Sequence, residues 1–345
     1  MELYNKLSKE EQIKIIEKAG EKRFTLSFYK YHLIKNPESF RNFLFVELDK
    51  LDVLGRIYVA KEGINAQLSL PSKNIDKLKS TIDAISFLKN IRLNIAIKHD
   101  NKSFLKLKIK IRDKIVADGL RAVDYDLKRN GEHLNALQFN KLLDDKKTVL
   151  IDMRNHYESE IGHFKGAELP DVDTFRESLP IINNKYKACK NDKNILMYCT
   201  GGIRCEKASA YLVKNGYKNV YQLSGGIIEY TRQVKKHNIE NKFVGKNFVF
   251  DGRLGEEISG QIISKCHQCG KKCDVHINCN NEACHLLFLQ CKSCKKKYSG
   301  CCSSKCKDVY ELPIEKQKKL RKGKKNSNKI FKKGRFNHEV FKNNV

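Results

Sequence analysis

Hydrophobic and polar positions along the chain change period several times, and each change predicts an element. Residues 1–22 carry the pattern of one amphipathic helix, with Ser8 as its N-cap, Glu11 at capping-box distance and Gly20 as its stop. At Arg23 the pattern becomes an aromatic strand, Phe24-Thr-Leu-Ser-Phe-Tyr-Lys-Tyr31. A helix follows over Pro37 to Leu48, then strands over Arg56 to Ala60 and Asn65 to Leu70. Pro71 suits the first turn of a helix running to about Lys89, and a last strand falls between Ile91 and Lys110. The order β-α-β-β-α-β predicts a ferredoxin-like domain over residues 23–112. Lys106, Lys108, Lys110 and Arg112 alternate with apolar residues, which would line cations along one sheet face, either an RNA-facing surface or an ordinary solvated one.

A polar connector, residues 113–136, contains the turn signal Asn130-Gly131. An α/β pattern then occupies residues 137–240. It reads as a helix over Leu137 to Leu143, a buried strand Thr148 to Asp152 and a loop with one helical turn from His156 to Gly166. A helix from Phe175 to Asn183 leads to the strand Asn194 to Tyr198 and the helix Ile203 to Asn215. The strand Val220 to Leu223 turns through Ser224-Gly-Gly226 into a helix ending near Lys235. Alternating strands and helices predict a parallel sheet, whose working site lies at the carboxyl ends of its strands, where Asp152 and Cys199 fall.

Between strand and helix sits Cys199-Thr-Gly-Gly-Ile-Arg204. Gly201 and Gly202 allow the backbone to turn its N–H groups inward, the helix start adds a positive end, and Arg204 adds a guanidinium. Thr200 to Ile203 thus form a loop that would hold negative charge on Cys199, making it thiolate-prone. An ordinary core cysteine would need neither the glycines nor the arginine. The spacing is Cys-x4-Arg, one residue shorter than the Cys-x5-Arg loop that wraps a phosphate, which argues against a phosphatase. Cys205 is expected to face the core, directed away from the loop, and Cys189 has no neighbour that suggests a role.

The chain has 345 residues, a formal charge of +28 and thirteen cysteines. The charge suggests a polyanionic partner, though a lysine-rich coding bias would produce the same excess, so clustering carries more weight. The N-terminus lacks the apolar core of a secretory signal and no apolar run is long enough to cross a bilayer, so a cytoplasmic location is expected. Ten cysteines crowd between Cys266 and Cys306, within a module spanning residues 241–310. Cys266-x2-Cys269 and Cys291-x2-Cys294 have the paired-knuckle spacing of a zinc site. Cys279, Cys284, Cys301 and Cys302 are the candidates for a second site, with His267, His276 and His285 nearby; reduced free thiols and an iron–sulfur cluster are the alternatives. Residues 311–345 form a strongly basic segment expected to be a disordered tail that seeks phosphate, with Phe331 and Phe336 available to stack on bases.

Several motifs resemble a known family. The loop Cys199 to Arg204, the strand-end Asp152, His163-Phe-Lys-Gly-Ala167 and Leu223-Ser-Gly-Gly226 are similar to a rhodanese domain. The order of Lys61-Glu-Gly-Ile-Asn-Ala-Gln67, Tyr198 to Ala208, Asn247-Phe-Val-Phe-Asp-Gly-Arg253 and the cysteine cluster resembles the rhodanese-like tRNA uridine hydroxylases over roughly residues 1–310. The resemblance implies 5-hydroxylation of the wobble uridine, uridine-34, in the tRNA anticodon loop. It further implies molecular oxygen as co-substrate, an unidentified electron donor, Cys199 as the persulfide-bearing residue and Arg204 beside it. No haem, flavin or 2-His-1-carboxylate signature is evident. Two rival readings of the sequence are a sulfurtransferase passing persulfide sulfur to a thiol or protein acceptor, and a noncatalytic RNA-binding scaffold.

Overall fold

The computed structural model describes residues 7–323. The first helix, α1 (Lys9–Ala19), is closed by the expected reciprocal cap: Glu11 N–H donates to Ser8 Oγ at 3.1 Å and Ser8 N–H to Glu11 Oε2 at 2.7 Å. Gly20, in the left-handed region at φ 62°, ends it. The next elements are β1 (Arg23–Tyr31), α2 (Pro37–Asp49), β2 (Leu54–Ala60), β3 (Gly63–Pro71), α3 (Ile75–Asp83), β4 (Asn94–Ile95) and β5 (Leu107–Ile111). Their sheet has the order β4-β1-β3-β2-β5. The first four strands are antiparallel neighbours in the ferredoxin-like arrangement, and β5 adds a parallel edge beside β2.

Three expectations change here. Pro71 ends β3 instead of opening a helix, and α3 stops at Asp83, whose carboxylate accepts the Asn90 N–H at 2.8 Å. The single last strand is two strands, because β4 spans only two residues and carries no readable period. The basic alternation on β5 is partial: Lys108 and Lys110 are exposed, Lys106 is half-buried, and Arg112 lies over the Tyr58 ring.

The alternation along β1 has structural consequences. Leu26 and Phe28 enter the core with Leu44, Leu48, Ile57 and Leu68, whereas Tyr29 and Tyr31 project from the opposite face. Burying such a core at roughly 25 cal/mol per Å² of apolar area is what supports a domain of this size.

The chain continues through β6 (Glu132–Leu134), α4 (Ala136–Leu143), β7 (Thr148–Asp152), α5 (His156–Ser159), β8 (Gly162–Phe164) and α6 (Phe175–Tyr186). Next come β9 (Asn194–Tyr198), α7 (Ile203–Lys214), β10 (Val220–Leu223), α8 (Gly226–His237) and β11 (Phe243–Asn247). β6, β10, β9 and β7 form an all-parallel sheet in that order. β6 lies in the stretch read as connector; its three residues are an edge strand with two exposed positions, too short to show a pattern. β8, read as loop, pairs antiparallel with β11.

The remaining elements are β12 (Glu256–Glu257), β13 (His276–Asn278), β14 (Leu287–Leu289), α9 (Lys292–Lys297), α10 (Ser304–Tyr310) and α11 (Ile314–Arg321). The helix α11 replaces the disorder expected just after Pro313, and the rest of the basic tail, with Phe331 and Phe336, lies outside the described residues. Among the described residues, packing yields two compact units. The first comprises 7–153, 183–241 and 250–253; the second comprises 154–182, 242–249 and 254–323. The first therefore holds both the ferredoxin-like sheet and the parallel sheet. No described helix is long and apolar enough to cross a membrane.

Candidate active site

In the first unit, β9 ends at Tyr198 and α7 begins at Ile203, so Cys199, Thr200, Gly201 and Gly202 form the turn between them. Tyr198 donates its hydroxyl to Asp152 Oδ2 at 2.7 Å, fixing the two strand ends together. Gly202 caps α7 at φ 103°, a conformation that a side chain rarely adopts, and a Cβ there would meet the Tyr29 hydroxyl at 2.8 Å. Its N–H donates to Cys199 Sγ at 3.1 Å.

Every carbonyl of the loop has a donor. Ile227 and Ile228, in the first turn of α8, donate to the Cys199 and Thr200 carbonyls at 3.0 and 3.3 Å. This contact explains the glycines after Leu223: at Gly226 a Cβ would lie 2.5 Å from the Cys199 carbonyl oxygen. The Gly201 carbonyl accepts from Asn94 Nδ2 at 3.4 Å, the Gly202 carbonyl from Glu206 N–H at 3.2 Å and the Ile203 carbonyl from Tyr31 Oη at 3.1 Å. With the oxygens turned outward and occupied, the amides are free to face the sulfur.

The Cys199 pKa reflects these partners. Burial pushes it up, but a hydrogen bond from the Cys205 thiol, the Arg204 charge and the Arg204 and Cys205 amides lower it to about 6. The Cys205 position differs from the expectation. It is buried, yet its thiol reaches Cys199, because a side chain in a helix's first turn tilts back toward the N-terminus and here that direction is the loop. Burial and the thiolate beside it push the Cys205 pKa well up, so it remains the donor. Arg204 is 7 % exposed and lies over the Phe250 ring at 6.0 Å. Cys199 itself is only 1 % exposed, so the sulfur sits beneath the loop surface instead of standing open at its mouth.

Above the loop lies a cavity of about 960 Å³. Gly201, Gly202, Leu223 and Ser224 contribute one side, and Tyr29, Tyr31, Ile91 and Asn94 of the ferredoxin-like domain contribute the other. Lys30, Lys61, Lys89, Arg92 and Lys128 ring it, all exposed. Its two lining carboxylates are internally bound. Glu206 accepts from Tyr29 Oη at 3.2 Å and Asn130 Nδ2 at 2.6 Å, and pairs with His133 Nε2 at 2.9 Å. Glu62 accepts from Lys207 Nζ at 2.6 Å and Ile115 N–H at 2.8 Å. Lys207 is fully buried and also donates to Asp118 Oδ2 at 2.6 Å and Tyr125 Oη at 2.9 Å. Burial pulls its pKa down, but these partners hold it above the ordinary value, and Asp118 is held below its own. The cavity's available charge is therefore positive.

Sequence reasoning missed the residues that join the two sheets. Glu206 and Lys207 follow the loop after Arg204 and Cys205, and a lysine on the buried face of α7, among Cys205, Ala208 and Ser209, was the available signal. Tyr29 and Tyr31 were legible only as one face of a strand.

In the second unit the sulfurs of Cys266, Cys269, Cys291 and Cys294 lie within 4.8 Å of one another. A second set, equally close, is Cys279, Cys284, Cys302 and Cys306. Cys301, expected in that set, is not in it. It precedes Cys302 in the connection between α9 and α10 and turns its thiol toward the Ser299 carbonyl at 3.8 Å, while Cys306, in the first turn of α10, comes within 3.6 Å of Cys302. Tetrahedral zinc with Zn–S bonds of about 2.3 Å spaces its sulfurs about 3.8 Å apart. The Cys269–Cys291 and Cys284–Cys302 separations of 3.6 and 3.7 Å fit that. Neither four-sulfur set includes a histidine; His267 pairs with Glu160 at 2.6 Å, and His276 is buried against the Phe248 ring.

Comparison with known proteins agrees with this architecture. Family models match as "UPF0176 acylphosphatase like domain" over residues 23–115, "Rhodanese-like domain" over 135–233 and "Rhodanase C-terminal" over 244–307. A solved rhodanese-like domain protein from Staphylococcus aureus is 25% identical over 29% of this chain and 90% of its own, with a TM-score of only 0.25. A curated tRNA uridine(34) hydroxylase from Leptospira interrogans is 52% identical over 338 residues, covering 98% of this chain and 92% of that one. One from Pectobacterium carotovorum is 52% identical over 96% of this chain and 94% of its own. With half of all positions shared across nearly the whole length of both chains, the protein belongs to the tRNA uridine(34) hydroxylase family.

Proposed function

We propose that this protein hydroxylates carbon 5 of uridine-34 in tRNA, consuming molecular oxygen and two electrons from a separate donor, with Cys199 as the reactive residue. The observation that carries this reading is the cavity above the Cys199 loop, built jointly by the rhodanese loop and the ferredoxin-like domain and ringed by lysines and an arginine. A cationic rim around an apolar and hydroxyl-bearing interior suits a base turned out of an anticodon loop, with phosphates held at the edge. A plain sulfurtransferase needs an open loop and gains nothing from Tyr29, Tyr31 and Asn94 laid across it.

In this reading the loop amides, the Cys205 thiol and Arg204 keep Cys199 ionised near neutrality. Arg204 and the Thr200 to Ile203 backbone hold that charge. A persulfide on Cys199 would carry a reactive sulfur about 2 Å beyond the buried Sγ. The two four-cysteine sets would each hold zinc as a structural staple for a segment with little apolar core of its own. The workplace is the cytoplasm, where tRNA is modified.

Nucleoside analysis of tRNA from cells lacking the gene tests the proposal. Loss of 5-hydroxyuridine and its derivatives, restored by the intact gene but not by Cys199→Ser, is expected. Unchanged wobble nucleosides in the deletion would refute it.

A further inference from the structure

The cavity is larger than one turned-out base needs. Pockets of roughly 300–1,000 Å³ enclose whole drug-sized ligands, and at about 960 Å³ this one has room for a nucleotide beside the target. Its wall includes two aromatic rings laid flat on each other: His32 and Phe87, 4.5 Å between centroids and 6° from parallel. Phe87 is half-buried, packs against the core of the ferredoxin-like domain and meets the Phe40 ring at 5.5 Å. The backbone that carries the imidazole is fixed as well, because His32 N–H donates to the Glu62 carbonyl at 3.0 Å. His32 itself is exposed, as is Leu33 after it, and among the described residues no hydrogen bond or ion pair engages the imidazole. A flat ring, backed by a second ring anchored in a core and otherwise open, has the form of a surface on which a base stacks.

We propose that His32, backed by Phe87, is the stacking platform for the base next to the target uridine in the RNA. This rests on the hydroxylase reading above. A uridine that enters the cavity leaves the stack with its neighbours, and the base it uncovers then lacks an apolar face to lie against. His32 supplies that face within the same cavity. Lys30, Lys89 and Arg92, exposed around it, suit the phosphates that link the two nucleotides. Every base has a π-face, so the platform holds the strand with little preference for which base occupies it.

Anticodon stem-loop RNAs with an abasic nucleotide on the 5′ or the 3′ side of the target uridine provide the test, with affinity and hydroxylation measured on the full chain. For the unaltered protein, loss of the base at one of those two positions should weaken binding about five- to a hundredfold. Replacing that base by any other should change affinity by less than about threefold. His32→Ala should weaken the intact stem-loop by a similar factor, and the abasic penalty should then disappear. His32→Phe, which keeps a flat ring and loses the imidazole nitrogens, should restore both. A histidine that only touched phosphate would leave the abasic penalty in place in His32→Ala, and phenylalanine would not replace it. Either of those results, or the absence of a penalty at both positions, would overturn the inference while hydroxylation of the intact stem-loop still stood. Failure of the unaltered protein to hydroxylate the intact stem-loop would instead overturn the hydroxylase reading, and this inference with it.

Discussion

Burial and hydrogen bonding act in opposite directions on the Cys199 sulfur, and the donors prevail, bringing its pKa to about 6. A lowered pKa means that the thiolate is present above about 6 and is lost as pH falls through it. The thiolate absorbance of Cys199 in the enzyme free of added sulfur, read as the difference from Cys199→Ser, should therefore rise through a midpoint near 6 and level off by neutrality. A rise only in the ordinary thiol range, about 8.5, would contradict the assignment. Cys205→Ala removes one donor and should move that midpoint upward. Lys207 offers a different residue-scale test, because it neutralises two carboxylates in a fully buried position. Lys207→Met leaves those charges unpaired and should cost about 3–5 kcal/mol in urea unfolding. Adding Glu62→Gln and Asp118→Asn should restore most of that loss; no restoration would mean that packing, not charge, accounts for it.

Elements divide by how much pattern they carry. The strands Thr148–Asp152, Asn194–Tyr198 and Val220–Leu223 were legible to the residue, because parallel strands of four or five mostly buried residues read as continuous apolar runs. The strands β4, β6 and β8 were not, since two or three residues at a sheet edge have no period to detect. The cysteine module shows the same limit. Paired Cys-x2-Cys knuckles are a local signal and their four sulfurs converge. The second set is joined through Cys306 of α10, and neighbouring Cys301 and Cys302 look equivalent until the backbone decides which one turns inward. Cys306→Ser should lower the bound zinc by about one equivalent per chain, and Cys301→Ser should leave it unchanged. Metal analysis of the two purified variants checks this, and the reverse pattern would reject the assignment.

Across the molecule, the reactive loop was readable because its parts are consecutive in sequence, whereas the cavity above it was not. Tyr29, Tyr31 and Asn94 meet residues more than a hundred positions away, and no local pattern announces a contact of that span. The Glu206–Lys207 pair ties the two sheets of one unit together, through Tyr29, His133 and Asn130 on one side and Glu62, Asp118 and Tyr125 on the other. A free-standing sulfur carrier has no use for such a junction, which is why the joint cavity, more than the net charge of +28, points to a nucleic-acid substrate. The most direct measurement is the mass of the wobble nucleoside after purified protein, tRNA and a reductant are incubated under isotope-labelled dioxygen. The account predicts 5-hydroxyuridine carrying the label with the intact protein and none with Cys199→Ser. Product bearing unlabelled oxygen drawn from water, or full product from the Cys199→Ser variant, would contradict it.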